Sequence, residues 1–141
     1  MANEFVHIEL STDDVGAAKK FYKTVFSSWE FQAMPKMDYT MLKAGKGAGG
    51  GLTKKMMRGQ PTAWLPYVEV DDVKNTIARA TKAGAKVLVP FQEIGEMGAI
   101  GIFMDPTGAA LGVWELGKPA KKSAAKKPAQ KSTKTSATKK R

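Results

Sequence analysis

The residues best suited to acid–base chemistry near the start of the chain are His7 and Glu9. They lie two positions apart in a segment with strand-like alternation, so both side chains point to the same face. An imidazole and a carboxylate on one face could exchange a proton with a bound molecule. Same-face neighbours on a strand lie about 6.5 Å apart, so neither side chain orients the other directly. His7 is therefore a candidate catalytic residue, and the alternative is that it belongs to a cavity wall.

A second segment repeats the pattern around these two residues. Residues 5–10 read FVHIEL and residues 65–70 read LPYVEV, and Asp-Asp-Val follows each segment. An internal repeat of about sixty residues indicates two copies of one supersecondary unit, which must stack to bury a shared core. The repeat places Tyr67 and Glu69 on a strand equivalent to that of His7 and Glu9.

The elements that must position these residues come in the same order in both halves. The spacing of apolar residues predicts a strand, a helix and three strands, twice. The predicted strands are 5–10, 29–34, 39–44, 50–54, 64–70, 86–91, 99–104 and 110–116. Thr12 or Asp13 is the expected N-cap of the first helix, and the second helix buries Val73 and Ile77.

The basic character of the chain is concentrated at its C-terminal end. Residues 118–141 hold nine Lys, one Arg and no Asp or Glu, whereas the whole chain has 23 basic and 13 acidic residues. Residues 1–117 therefore carry no formal net charge. A segment rich in Lys, Ala and Pro cannot bury enough apolar surface to fold alone. This predicts one domain, 1–117, and a disordered tail, 118–141, which resembles the tails of linker histones and bacterial histone-like proteins.

Ten positive charges on a flexible segment favour non-specific binding to DNA or RNA phosphates by counterion release. The alternative is a solubilising extension. The predicted contacts are Lys121, Lys122, Lys126, Lys127, Lys131, Lys134, Lys139, Lys140 and Arg141.

Composition also excludes several classes of protein. The chain has no cysteine, which excludes disulfides, thiol nucleophiles and thiolate metal sites. Residues 1–4 lack the basic start of a signal peptide, and no stretch approaches the roughly 18 apolar residues of a membrane span. We expect a cytoplasmic protein without a membrane partner, associated with the nucleoid if the tail binds DNA.

Several motifs together indicate a family. They are His7 in the opening strand, the helix from Asp13-Asp14 to Phe21-Tyr22, the WLPYVEV strand at 64–70, and FMDPTG at 103–108 leading to LGVWE at 111–115. Over residues 4–116 the chain resembles the vicinal oxygen chelate superfamily, which includes glyoxalase I, bleomycin-resistance proteins, fosfomycin-resistance enzymes and extradiol dioxygenases. It is most similar to the poorly characterised glyoxalase-like branch.

The resemblance implies an α+β fold, the glyoxalase/bleomycin-resistance/dioxygenase fold. Two tandem βαβββ modules, about 1–57 and about 61–117, would form a cupped mixed sheet. Its hollow face would hold a substrate and usually a divalent metal ion. Family members usually form dimers, so a homodimer is expected.

The resemblance also implies four metal-ligand positions, usually His or Gln on the first strand of each module and Glu on the last. In this sequence they fall on His7, on Leu65 or Tyr67, on Gly51 or Leu52, and on Gly112. Only His7 matches the family, and one imidazole does not hold a catalytic ion. We therefore expect no metal cofactor. If zinc, manganese, nickel or iron does bind, His7 and Glu115 are the candidate ligands, although Glu115 needs a bulge to reach the cavity because alternation turns it away.

Three functions remain open. The favoured one is a small-molecule-binding or sequestering protein with a degenerate metal site, whose ligand pocket contains His7, Glu9, Tyr67, Glu69 and Trp114. The methionines at 34, 37, 41, 56, 57 and 97 either line this pocket or fill core gaps. The second function is a metal-dependent lyase, isomerase or dioxygenase of the glyoxalase type. The third is a nucleic-acid-associated protein that acts mainly through its tail.

Overall fold

The computed structural model describes residues 2–117, which form eight β-strands and two α-helices. The predicted tail, with its nucleic-acid contacts, lies outside the described residues. The elements in chain order are β1 Phe5–Thr12, α1 Val15–Val25, β2 Glu30–Met34, β3 Tyr39–Lys43, β4 Gly49–Lys54, β5 Ala63–Glu69, α2 Val73–Lys82, β6 Lys86–Glu93, β7 Gly98–Met104 and β8 Ala110–Leu116. Short 3-10 turns lie at Pro35–Met37 and Gly95–Met97.

All eight strands form one mixed sheet in the order β2-β3-β4-β1-β5-β8-β7-β6. Within each half the first strand pairs in parallel with the last, β1 with β4 and β5 with β8. The two halves join through the antiparallel pair β1–β5. The repeat in the sequence thus becomes two units that share a sheet, and the predicted α+β fold with two βαβββ units is confirmed.

The Asp-Asp-Val motifs start the two helices. The Asp14 carboxylate accepts a hydrogen bond from the Ala17 N–H at 2.9 Å, and the Asp72 carboxylate accepts one from the Asn75 N–H at 3.0 Å. The expected cap of α1 at Thr12 or Asp13 was wrong by one or two residues. The Thr12 hydroxyl instead accepts the Asp14 N–H at 3.3 Å, so it supports the residue that caps the helix.

Both helices pack on one face of the sheet. Leu10, Leu42 and Leu52 are buried against the apolar residues of α1, and Val73 and Ile77 of α2 are buried on the second half. Gly101 allows α2 to lie close to β7, because a Cβ there would lie 3.0 Å from Val73. Alternation leaves the other face of the central strands free for a site.

A register shift in β1 changes the predicted face of one residue. The β1–β5 pairing shifts between Phe5 and His7, which is the mark of a bulge. Strict alternation along residues 5–10 would put Val6 on the same face as Ile8 and Leu10, but Val6 packs against the cluster that contains Tyr67 and Trp114. Sequence alternation cannot foresee such a shift because it depends on the partner strand.

Several large apolar side chains are exposed, including Phe5, Phe21, Val25, Phe26 and Leu116. Exposed apolar residues on α1 are compatible with a partner surface. The homodimer nevertheless stays a prediction. Neither α1 nor α2, the α-helices of residues 2–117, is long and apolar enough to cross a membrane.

Candidate functional site

A cavity of about 160 Å³ opens on the sheet face opposite the helices. An engineered cavity of about 150 Å³ in another protein holds benzene, so this one suits a single ring. Its lining is mixed: His7, Glu9 and two tyrosines form one polar group, and the other side chains are methionine, isoleucine and tryptophan with one threonine and one glutamine. The lining residues are His7, Glu9, Met37, Tyr39, Thr53, Met56, Tyr67, Gln92, Ile94, Met97, Ile100 and Trp114.

The polar end of the cavity is a chain of hydrogen-bonded side chains. The His7 Nε2 lies 2.7 Å from the Tyr39 hydroxyl, which donates to Glu9 Oε1 at 2.8 Å. The Tyr67 hydroxyl donates to Glu9 Oε2 at 3.4 Å. A phenol has one proton, and Tyr39 gives it to Glu9. The His7 Nε2–H must therefore donate to Tyr39, which fixes the imidazole as its Nε2–H tautomer.

Two glycines make room for the two tyrosines. A Cβ at Gly51 would overlap the phenol end of Tyr39, and a Cβ at Gly112 would overlap the ring of Tyr67. Gly51 is on β4, between the strands of Tyr39 and Glu9, and Gly112 is the register partner of Tyr67. The tyrosines therefore occupy the space above two of the positions where the resemblance expects a carboxylate ligand.

Burial determines the protonation of the site. Burial lowers the pKa of His7 from 6.5 to about 4, so the imidazole is neutral at physiological pH. Burial also raises the pKa of Glu9, an effect that the hydrogen bonds from Tyr39 and Tyr67 oppose. The pKa values of both phenols are raised, first by burial and then by the charge of Glu9, so both remain hydrogen-bond donors.

Four of the five residues predicted for the pocket line this cavity: His7, Glu9, Tyr67 and Trp114. Trp114 is held in place because its Nε1–H donates to the Met97 carbonyl at 2.8 Å. Glu69 does not line the cavity. It ends β5, where its N–H donates to the Glu4 carbonyl and its carbonyl accepts from Asn3.

Tyr39 is the main residue that the sequence analysis missed. It bridges His7 and Glu9, although 30 residues separate it from Glu9 in the chain. Alternation in β3 gives Tyr39 a definite face, but only the strand order β3-β4-β1 brings that face over Glu9. Of the methionines considered, Met37, Met56 and Met97 line the cavity.

Glu115 does not reach the cavity. Its Oε1 accepts a hydrogen bond from the Val73 N–H at 3.0 Å, at the start of α2 on the helix side of the sheet. The β7–β8 pairing keeps one register from Gly98 and Leu116 to Met104 and Ala110, so the bulge that would have turned it inward is absent there. The suggested pairing of Glu115 with His7 as metal ligands was therefore wrong.

The residues present do not match the ligand set of a divalent ion. Within residues 2–117, no group of three or more His, Cys, Asp or Glu side chains is placed to hold one. In the cavity, His7 and Glu9 are the two side chains of these types, and His7 Nε2 is already hydrogen-bonded to Tyr39. Catalytic sites normally supply about three protein ligands.

Sequence comparison identifies related proteins. The Bleomycin resistance protein-like N-terminal family matches residues 4–45. CFP32 of Mycobacterium tuberculosis, named as a candidate glyoxylase, is 31% identical over 118 residues, which cover 79% of this chain and 45% of CFP32. The chain thus spans about half the length of this curated relative.

Structural comparison confirms the predicted glyoxalase/bleomycin-resistance fold. A member of the glyoxalase/bleomycin resistance protein/dioxygenase superfamily from Vibrio splendidus 12B01 superposes with a TM-score of 0.55 at 14% identity. The superposition covers 79% of this chain and 97% of that chain. Streptomyces coelicolor methylmalonyl-CoA epimerase, solved with 2-nitronate-propionyl-CoA, gives a TM-score of 0.57 at 15% identity, covering 84% and 100%. At such identities the likeness shows the fold alone.

Proposed function

From the glyoxalase/bleomycin-resistance fold, and from relatives that support a place in the vicinal oxygen chelate superfamily, we propose that this chain is a small-molecule-binding protein with a degenerate metal site. The observation that carries the proposal is the hydrogen-bonded network of His7, Tyr39, Glu9 and Tyr67 in a cavity whose other lining residues are mostly apolar. A few positioned polar groups in an apolar cleft are typical of ligand sites.

The protein acts by binding and orienting its ligand. Water is displaced from the apolar part of the ligand by the side chains of Ile100, Met97 and Trp114. The polar end fixes the orientation through hydrogen bonds at Glu9 and the two phenols. The metal-dependent alternatives need ligands besides His7, and the Glu115 carboxylate is committed to the start of α2.

The proposal predicts that benzyl alcohol binds in this cavity with a dissociation constant of about 1 mM or lower, as expected for a compact ligand of few atoms. The measurement is a two-dimensional NMR titration, with Trp114 and His7 as reporters. Met56 lines the cavity and is 53% exposed, so Met56→Trp should block the entrance without disturbing the core. We expect this variant to bind at least about tenfold more weakly.

The control is Met57→Trp, at the next residue, which is exposed but does not line the cavity. It should bind benzyl alcohol within about twofold of the unmodified chain. Equal weakening in both variants, or no saturable shift at Trp114, would contradict the proposal.

We also propose that residues 118–141 tether the protein to nucleic acid without sequence preference, in the cytoplasm or at the nucleoid. The support is compositional, because these residues carry ten positive charges whereas residues 1–117 carry no formal net charge. Fluorescence anisotropy with duplex DNA should show affinity that falls steeply between 50 and 200 mM salt. Replacing the nine tail lysines with glutamine should abolish binding, and binding that survives the replacement would refute the tether.

A further inference from the structure

The hydrogen-bonded network of His7, Tyr39, Glu9 and Tyr67 offers acceptors but no free donor to a ligand when Glu9 is ionised, and Thr53 and Gln92, which also line the cavity, lie outside this network. Its three donors are the His7 Nε2–H and the hydroxyls of Tyr39 and Tyr67, and each of them already donates to another side chain of the network. Unused lone pairs remain on the Glu9 carboxylate and on both phenol oxygens. A ligand that satisfies them must bring hydrogen-bond donors of its own.

The carboxylate of Glu9 also lacks a positive partner. The groups that face it are His7 on its own strand, Tyr39 from β3 and Tyr67 from β5, and His7 is neutral at physiological pH. No Lys or Arg lines the cavity. The one ion pair within residues 2–117 is Lys55–Asp13, which does not involve Glu9. A buried carboxylate is normally paired with a cation, so the position opposite Glu9 suits a positive charge.

Aromatic rings surround the same place. The His7 ring meets Trp114 edge-on with ring centres 4.9 Å apart, and Tyr67 meets Trp114 in the same way at 6.2 Å. Tyr39 closes another side, stacked on His7 at 6.3 Å. Tryptophan and tyrosine faces attract ammonium groups, and sites for such ligands are commonly aromatic.

We propose that this cavity selects small organic ammonium compounds, with the ammonium group hydrogen-bonded to Glu9 and one apolar ring or short chain among Trp114, Ile100 and the methionines. The inference rests on the proposed binding function and adds the chemical class of the ligand. It follows from the supply of acceptors, the unpaired carboxylate and the aromatic surround.

Three probes of one shape test the charge preference. Benzylamine is a cation at pH 7.5, benzyl alcohol is its neutral counterpart, and benzoate is an anion of similar size. Calorimetry on the full chain should show benzylamine binding at least about tenfold more tightly than benzyl alcohol, because a charge-assisted hydrogen bond exceeds a neutral one by that margin. Benzoate should bind most weakly, since its carboxylate would meet the like charge of Glu9 and the acceptors around it.

Glu9→Gln keeps the shape of the side chain and removes its charge. It should weaken benzylamine by about tenfold and leave benzyl alcohol within about threefold. Glu9→Asp keeps the charge and should keep the preference for benzylamine. If Glu9→Gln does not fold, the order of the three probes on the unmodified chain decides the question.

The outcomes separate the two proposals. Binding of benzyl alcohol with equal or weaker binding of benzylamine overturns the ammonium inference and leaves the binding function standing. Absence of binding by all three probes overturns both. Binding of benzoate as tight as that of benzylamine overturns the inference, because the cavity would then show no preference for a positive charge.

Discussion

The free energy of unfolding should fall by about 3 kcal/mol through His7 alone as the pH is lowered from above 6.5 to below 4. Burial holds the pKa of folded His7 at about 4, whereas the unfolded chain protonates it near 6.5. Between these values the unfolded state binds more protons, so acid favours unfolding. The contribution is complete above pH 6.5 and is lost as the pH falls through the pKa of the folded state.

Urea unfolding at a series of pH values measures this effect, with His7→Gln as the comparison. Glutamine cannot take up a proton, yet its amide can still donate to Tyr39. The variant should therefore lose most of the acid dependence assigned to His7. Glu9 acts in the opposite sense, because its raised pKa stabilises the fold as it becomes protonated at low pH. The difference in the pH dependence of unfolding between the unmodified chain and His7→Gln therefore isolates the contribution of His7.

The chain has a single histidine, which makes a direct check possible. Nitrogen-detected NMR of untagged protein should show one imidazole in its Nε2–H form at pH 7, with a pKa near 4. A pKa close to 6.5, or the Nδ1–H form, would contradict the hydrogen-bonded chain described above. A pKa close to 6.5 would also weaken the argument that Glu9 lacks a positive partner, because part of the imidazole would then be charged near neutral pH.

Gly112→Ala should destabilise the protein by about 3 kcal/mol. The added Cβ would lie 2.9 Å from Tyr67 Cγ and closer still to two other ring atoms. Tyr67 is only 2% exposed and packs with Ile100, Ile102 and Trp114, so its ring can move only by breaking this packing or by entering the cavity. Urea unfolding of the variant measures the loss, and the displaced ring should also weaken benzyl alcohol binding.

Gly49→Ala is the control for this experiment. Gly49 is also a strand glycine, but a Cβ there would meet no atom within 4 Å. We expect its stability to stay within about 0.5 kcal/mol of the unmodified chain. The loss of stability in Gly51→Ala should lie between those of the Gly49 and Gly112 variants, because the atoms that the new Cβ would contact belong to the outer end of the Tyr39 side chain. Similar losses for Gly49 and Gly112 would show that the ring above Gly112 is not confined.

The glycines and tyrosines account for the difference between this cavity and the ligand pattern that the resemblance implies. Where the resemblance expects a carboxylate on the last strand of each module, Gly51 and Gly112 leave space that Tyr39 and Tyr67 fill. The phenols then donate to Glu9 at the polar end of the cavity. A carboxylate at either glycine would collide with a tyrosine ring, so the two arrangements exclude each other.

Local sequence was enough to predict the secondary-structure elements and their repeat, and the resemblance to a known family supplied the fold. Alternation along strands, helical spacing and the repeat of FVHIEL as LPYVEV are properties of neighbouring residues, and they identified the eight strands and two helices. The same alternation placed His7 and Glu9 on one face. It also turned Glu115 away from that face, as its hydrogen bond to Val73 shows.

Tertiary structure alone decided how the site is built. Only one strand, β4, lies between the strands of Tyr39 and Glu9. The phenol of Tyr39 can reach across it because Gly51, on β4, has no side chain to keep the phenol away. Glu69 lies outside the cavity because it stands at the end of β5, and the bulge at Val6 arises from pairing with that strand. Periodicity sets the face of each side chain. Which faces meet depends on strand order and register, and these follow from packing between residues far apart in the chain.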